Sequence, residues 1–238
     1  MKKENLIISD TPEELASSFA DQFMVWIREF SGNTYHLAIS GGKTPNLMFN
    51  VLADKYANSP LWQKVHVWWV DERMVPPTDP ESNFGVAQKL LFSRISIPEE
   101  HIHRIKGENN PENEALSYSE QIKSHIQQED EWPVFDLILL GMGDDGHTAS
   151  IFPNQLGLLT SKQICEVATH PATGQKRVTL TGKAINSASK IVFLVTGKEK
   201  ADRINEIFNQ KPEAQILPAF HIKSPSWIID QEAAKQIE

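Results

Sequence analysis

One histidine, His147, stands among carboxylates and glycines in the stretch Gly141-Met142-Gly143-Asp144-Asp145-Gly146-His147-Thr148-Ala149-Ser150-Ile151-Phe152-Pro153. An imidazole gains and loses a proton near neutral pH, so this stretch carries the side chain that general acid–base chemistry requires. Asp145 is the candidate for orienting or polarising the ring. Gly141, Gly143 and Gly146 permit positive φ angles and close backbone approach, so amides of the turn, that of Gly143 included, can face a ligand. The apolar run that leads in, Phe135-Asp136-Leu137-Ile138-Leu139-Leu140, predicts a strand covered on both faces. His147 is expected to leave the turn near the start of a brief helical segment stopped by Pro153.

Three further stretches could complement that imidazole. Ser40-Gly41-Gly42-Lys43-Thr44-Pro45 follows a predicted strand, Tyr35 to Ile39, and precedes a helical period at Leu47, Met48, Val51 and Leu52. A strand, a glycine loop and a helix start direct free amides and the positive end of a helix dipole at one point, the layout of a phosphate site. An ordinary tight turn capped by Thr44 fits the same residues. A Walker A loop does not, because Leu37 occupies the place of its first glycine. Asp71-Glu72-Arg73 ends a bulky predicted strand, Val65 to Val70, as either a solvated loop or the wall of a site. Its place beyond a central strand favours the wall. Ser82 and Asn83 then cap a predicted helix through Leu91. Thr196-Gly197-Lys198-Glu199-Lys200 follows the predicted strand Ile191 to Val195 and forms an anion-friendly corner, with Lys200 able to reach inward. Two solvated lysines beside a helix start, from about Ala201 to Phe208, is the alternative.

The elements that must position these groups alternate between strand and helix. Leu6-Ile7-Ile8 predicts a strand. Thr11-Pro12-Glu13-Glu14 then opens a helix to about Phe30, with Leu15, Phe19, Phe23, Trp26, Ile27 and Phe30 on its apolar face. Pro111 to Asp130 predicts an exposed amphipathic helix with Leu116, Ile122 and Ile126 inward, and His101, His103 and His125 are expected at the surface. Segments around Ile164 to Ala168 and Arg177 to Thr181 predict further strands, and short extended pieces from Pro218 to Ile229 close the chain. Gly141-x-Gly143-x-x-Gly146 satisfies a dinucleotide fingerprint. However, Asp144 and Asp145 would meet the pyrophosphate, and Pro153 leaves no room for the helix that should follow.

A chain of 238 residues, 40% hydrophobic and 23% charged, can bury a large core, and one α/β domain over residues 1–238 is expected. A formal net charge of −8 with no basic stripe excludes a general nucleic-acid surface. No apolar run approaches the ~20 residues that cross a bilayer. The Lys2-Lys3-Glu4 start has no signal-type apolar core, so a soluble cytoplasmic protein is expected. The only cysteine, Cys165, lies between apolar neighbours and reads as a packed thiol.

Taken in order, Ser40 to Pro45, Asp71-Glu72-Arg73 with Ser82-Asn83, Gly141 to Pro153, Arg177 to Thr181, and Gly197 with Lys200 resemble the 6-phosphogluconolactonases. These belong to a larger group that includes glucosamine-6-phosphate deaminase, and the resemblance spans nearly the whole chain. It implies an open, mostly parallel Rossmann-like sheet with helices on both faces, of the sugar-phosphate isomerase type. The deaminases have Asp-Glu-Tyr where this chain has Arg73, and a glutamate where it has Phe152. An isomerising deaminase needs that carboxylate, so Phe152 favours the lactonase branch.

The implied reaction is hydrolysis of 6-phospho-D-glucono-1,5-lactone to 6-phosphogluconate in the oxidative pentose phosphate pathway, with neither metal nor organic cofactor. In that reading His147 is general base on water and Asp145 its partner. Arg177 and Lys200 hold the 6-phosphate with the loop of Gly41, Gly42, Lys43 and Thr44. Arg73 meets phosphate or sugar hydroxyls, while Asp71, Asn83 and Gly143 complete the binding set. The implied partner is the small-molecule substrate alone, without nucleic acid or membrane, in a monomer or weak homo-oligomer. Two rivals are a sugar-phosphate isomerase or deaminase and a non-catalytic sugar-phosphate sensor.

Overall fold

Each apolar run read as a strand forms one in the computed structural model, which describes residues 5–237; the Lys2-Lys3-Glu4 start lies outside them. The strands, in chain order, are β1 (Leu6–Ser9), β2 (Tyr35–Ile39), β3 (Val65–Trp69), β4 (Asp71–Arg73), β5 (Ile102–His103) and β6 (Gln128–Glu129). They continue as β7 (Trp132–Pro133), β8 (Leu137–Leu140), β9 (Cys165–Thr169), β10 (Lys176–Leu180), β11 (Ile191–Val195) and β12 (Ser226–Asp230). The α-helices are α1 (Pro12–Glu29), α2 (Lys43–Tyr56), α3 (Asn83–Leu90), α4 (Pro111–His125), α5 (Gly182–Asn186) and α6 (Ala201–Phe208).

Seven strands form one parallel sheet in the order β1-β12-β11-β8-β2-β3-β5. Every residue of β2, β8 and β11 is buried, as strands covered on both faces require. The next strand of this sheet after β2 is β3, on one side; after β8 it is β11, on the other. The order therefore reverses between β2 and β8, and a crevice opens there beyond their carboxyl ends. A second sheet, β4-β10-β9, is antiparallel. It roofs one side of the crevice, because only Val70 separates β4 from the end of β3.

Local chemistry explains most boundaries. Thr11 Oγ1 accepts the Glu14 amide at 3.1 Å, Pro12 occupies the first turn, and Leu15, Phe19, Phe23 and Ile27 bury the inner face of α1. Ser82 Oγ caps α3 through the Gly85 amide at 3.0 Å. Cys165 is buried as expected, and burial pushes its thiol up to about 12.

Three expectations fail. α4 ends at His125, and Leu116 is 63% exposed; Ala115, Tyr118, Ser119 and Ile122 face inward. The buried stripe runs along small and amphipathic side chains, one position away from the leucine. His103 is not at the surface: β5 pairs it with Trp68, whose ring stacks on it at 4.0 Å, and it is 4% exposed. Asp71-Glu72-Arg73, favoured above as the wall of a site, forms a short strand because β10 supplies the pairing partners. Finally, no helix begins at His147. Residues 148–151 close a turn through a Thr148–Ile151 bridge with Ala149 at φ 49°, and Pro153 opens a 3₁₀ segment, Pro153–Leu159, instead of stopping one. Proline lacks an N–H but has a φ suited to a first turn, so it starts such segments readily.

Candidate active site

A cleft of about 450 Å³ fills the crevice between the loops after β2 and β8. Its walls bring together Gly41, Gly42, Lys43, Thr44, Asp71, Arg73, Asn83, Gly143, His147, Arg177 and Lys200. Asp145 lies outside the lining but touches His147.

The floor is the start of α2. Gly42 caps this helix at φ 116°, and among the described residues no side chain caps its first turn. Thr44 is not the cap; its hydroxyl is 2.7 Å from that of Thr196, on the loop after β11. Free amides at the positive end of a 14-residue helix attract an anion. A Cβ at Gly41 would lie 1.9 Å from Asn83 Oδ1, so a side chain there would push that amide aside.

The second sheet supplies the cations. Antiparallel pairing sets Arg73 of β4 directly opposite Arg177 of β10. Like charges facing across a strand pair are unfavourable unless something negative joins them. Asp71 is 5% exposed and accepts Ser150 Oγ at 2.6 Å, while Arg177 Nη1 reaches the same hydroxyl at 3.5 Å. The Nε atoms of Arg73 and Arg177 are both buried without a hydrogen-bond partner among the described residues. Burial lowers the pKa of Arg177, Asp71 opposes that shift and Arg73 adds to it.

Glu72 points away from the cleft and locks its wall. Its carboxylate is 1% exposed and accepts the amides of Arg73, Asn83 and Phe84 at 2.8 Å each and Ser82 Oγ at 3.1 Å. Burial raises its pKa, against the pull of those amides. A buried carboxylate thereby satisfies the first amides of α3 and ties β4 to that helix. Asn83 Nδ2 also donates to the Asp71 carbonyl at 2.9 Å.

His147 emerges from a tight turn in which the Gly143 amide donates to its carbonyl at 2.9 Å and Gly146 takes φ 81°. A Cβ at Gly143 would meet the imidazole at 2.1 Å. His147 Nδ1 lies 2.6 Å from Asp145 Oδ1, which also accepts the His147 amide at 3.0 Å. A carboxylate only accepts, so Nδ1 carries the proton and Nε2 is left as the ring's acceptor. For Asp145, burial alone would raise the pKa, but the hydrogen bonds and charge of His147 outweigh it and hold the carboxyl below its ordinary value.

Lys200 reaches the cleft and also pairs with Asp144 on the loop after β8. The Gly197 amide is not free, because Asp230, 2% exposed, accepts it at 3.0 and 3.1 Å. Asp230 was not singled out from sequence, and Ser150, Glu72 and Thr196 were given no role of their own within the stretches that contain them. Ser150 lies inside the quoted histidine stretch, but its partner Asp71 is 79 positions away, and no local signal joins them. Among the described residues, no three His, Cys, Asp or Glu side chains are grouped to hold a metal ion, and no helix is long and apolar enough to cross a membrane.

An imidazole with a fixed tautomer, facing arginines and uncapped helix amides converge at the switch point of a parallel sheet, which defines an α/β protein with a cleft lined by cations and free amides. The family described as glucosamine-6-phosphate isomerases/6-phosphogluconolactonase matches residues 10–230, and the chain belongs to that family. A 6-phosphogluconolactonase of Haemophilus influenzae is 42% identical over 236 residues, covering 97% of this chain and 99% of the relative. One from Aggregatibacter actinomycetemcomitans is 40% identical over 236 residues, with the same 97% and 99% coverage. Among solved structures, the crystal structure of devB protein superposes with a TM-score of 0.92 at 42% identity, over 98% of this chain and 99% of that one.

Proposed function

We propose that this chain hydrolyses 6-phospho-D-glucono-1,5-lactone to 6-phospho-D-gluconate, the lactone-opening step of the oxidative pentose phosphate pathway. The observation that carries this reading is the convergence on one cleft of the Asp145-oriented imidazole with Arg177, Arg73, Lys200 and the α2 amides. The cleft volume lies in the range of small-molecule sites.

In this mechanism His147 Nε2 accepts a proton from water as the water oxygen bonds to the lactone carbonyl carbon. The carbonyl oxygen becomes an oxyanion, stabilised by glycine-loop amides, where a well-placed donor contributes roughly 3 kcal/mol. Collapse breaks the bond from the carbonyl carbon to the ring oxygen. The imidazolium returns its proton to that oxygen as it leaves, and the new acid ionises to the carboxylate. Asp145 holds the tautomer and offsets the transient positive charge. Arg177 and Lys200 hold the 6-phosphate with the Gly41 to Thr44 loop; Arg73, Asp71, Asn83 and Gly143 border the sugar.

The test is formation of 6-phosphogluconate from freshly generated lactone, with a chelator present, measured against spontaneous hydrolysis. Turnover above that background is expected, and ammonia release from glucosamine 6-phosphate is not. A rate equal to the background would overturn the proposal.

A further inference from the structure

Phe152 touches both the imidazole and the phosphate-side cation, although it does not line the cleft. It is 1% exposed. Its ring centroid lies 4.9 Å from that of His147 at an interplanar angle of 49°. The Arg177 guanidinium carbon stands 5.5 Å from the same centroid. His170, on the turn between β9 and β10, closes a third side at 5.2 Å and 73°. That turn is pinned in place, because His170 Nδ1 accepts the amides of Ala172 and Thr173 at 3.3 and 3.2 Å.

Neither functional side chain is fully held by its hydrogen bonds. The bond from His147 Nδ1 to Asp145 holds one edge of the ring and does not pack its face. Among the described residues, Arg177 has one long side-chain bond, to Ser150, and a buried Nε without a partner. An aromatic face supplies what is missing on both sides, packing that sets an imidazole plane and a quadrupole that attracts a guanidinium.

We propose that Phe152 is a positioning residue that fixes the plane of His147 and the guanidinium of Arg177 relative to each other, setting base and phosphate clamp as one unit. The proposal rests on the lactonase reading of the cleft. Phe152→Leu keeps apolar bulk and removes the ring. It is expected to lower kcat on phosphorylated and plain gluconolactone alike, through His147. The KM of the phosphorylated lactone rises about tenfold, while that of the plain lactone, which has no group for Arg177, does not change. In an Arg177→Ala background the same substitution still lowers kcat but adds no further rise in KM, the non-additivity of a shared contact.

Should Phe152→Leu fail to fold, 3,4,5-trifluorophenylalanine at position 152 keeps the shape and weakens the π face; the selective KM rise is expected there too. Equal KM changes on both lactones, or a kcat loss that only tracks the fraction of folded protein, would overturn the proposal. Inorganic phosphate binding, followed by calorimetry, gives an arm independent of turnover. If the wild-type protein gives no product above background, the lactonase reading fails, yet phosphate binding still weakens in Phe152→Leu when the positioning role holds. Unchanged phosphate affinity would overturn it.

Discussion

At the scale of single residues, the site depends on which nitrogen of His147 is protonated. Asp145 Oδ1 accepts both the ring Nδ1 and the His147 amide, so it holds one tautomer by two contacts. His147→Ala is expected to lower kcat by about 10²-fold to 10⁴-fold with the fold intact, checked by lactone hydrolysis alongside circular dichroism. Near wild-type turnover would remove it as base. Asp145→Asn leaves a hydrogen-bonding side chain but removes the charge, so kcat is expected to fall while KM moves little. The carboxyl of Asp145 lies below its ordinary value when folded, so its contribution is complete above the unfolded value and is lost as pH falls through the lower folded one. Arg177→Ala is expected to raise KM for the phosphorylated lactone and leave that of plain gluconolactone near wild type. Equal effects on both would refute a phosphate role.

At the scale of elements, the wall of the cleft depends on contacts between segments that local sequence does not join. Glu72 holds β4 against the start of α3 by accepting three amides and a hydroxyl. Glutamine at this position offers one acceptor oxygen and turns an NH₂ toward donors. Glu72→Gln is therefore expected to cost about 2–3 kcal/mol, read from the urea midpoint at constant m. A loss under ~0.5 kcal/mol would show the clamp to be dispensable. Gly41→Ala drives a methyl group toward Asn83 Oδ1, 1.9 Å away, and should displace Asn83 from the Asp71 carbonyl. A raised KM is the expected outcome. Strand boundaries were legible because apolar, β-branched runs such as Ile191–Val195 specify themselves. Asp71–Arg73 was not, since a charged triplet becomes a strand only when β10 lies beside it.

At the scale of the molecule, the end of the sheet opposite the cleft carries a second consequence of tertiary pairing. His36, His66 and His103 sit on β2, β3 and β5, with His66 Nδ1 2.9 Å from His103 Nε2 and His101 stacked on His66 at 3.9 Å. His125, at the end of α4, lies 4.9 Å from His103, and His36 Nδ1 accepts Trp68 Nε1 at 3.2 Å. Burial first, then mutual repulsion, lowers His36 and His66 to about 4 and His103 to about 3; Glu100 alone opposes this, at His66. These rings are neutral in the fold, while the unfolded chain takes up protons near the ordinary 6.5. Stability is therefore expected to be level above pH 6.5 and to fall steadily from there toward pH 4. Urea midpoints across that range check this, and His103→Gln should flatten the slope. A midpoint unchanged down to pH 4 would contradict the assignment.

Periodicities and the chemistry on offer were written along the chain: buried parallel strands, a glycine loop before a helix, and one histidine beside a carboxylate. These are properties of neighbours along the chain, where alternation, helical period and turn residues act over a few positions. The partners came from the fold. It faced Arg73 with Arg177, joined Lys200 to Asp144, set Phe152 beneath His147, turned Leu116 outward and buried His103 against Trp68. Each of those outcomes follows from strand order and register, which depend on how distant segments compete for one core, and no short window of sequence records that competition.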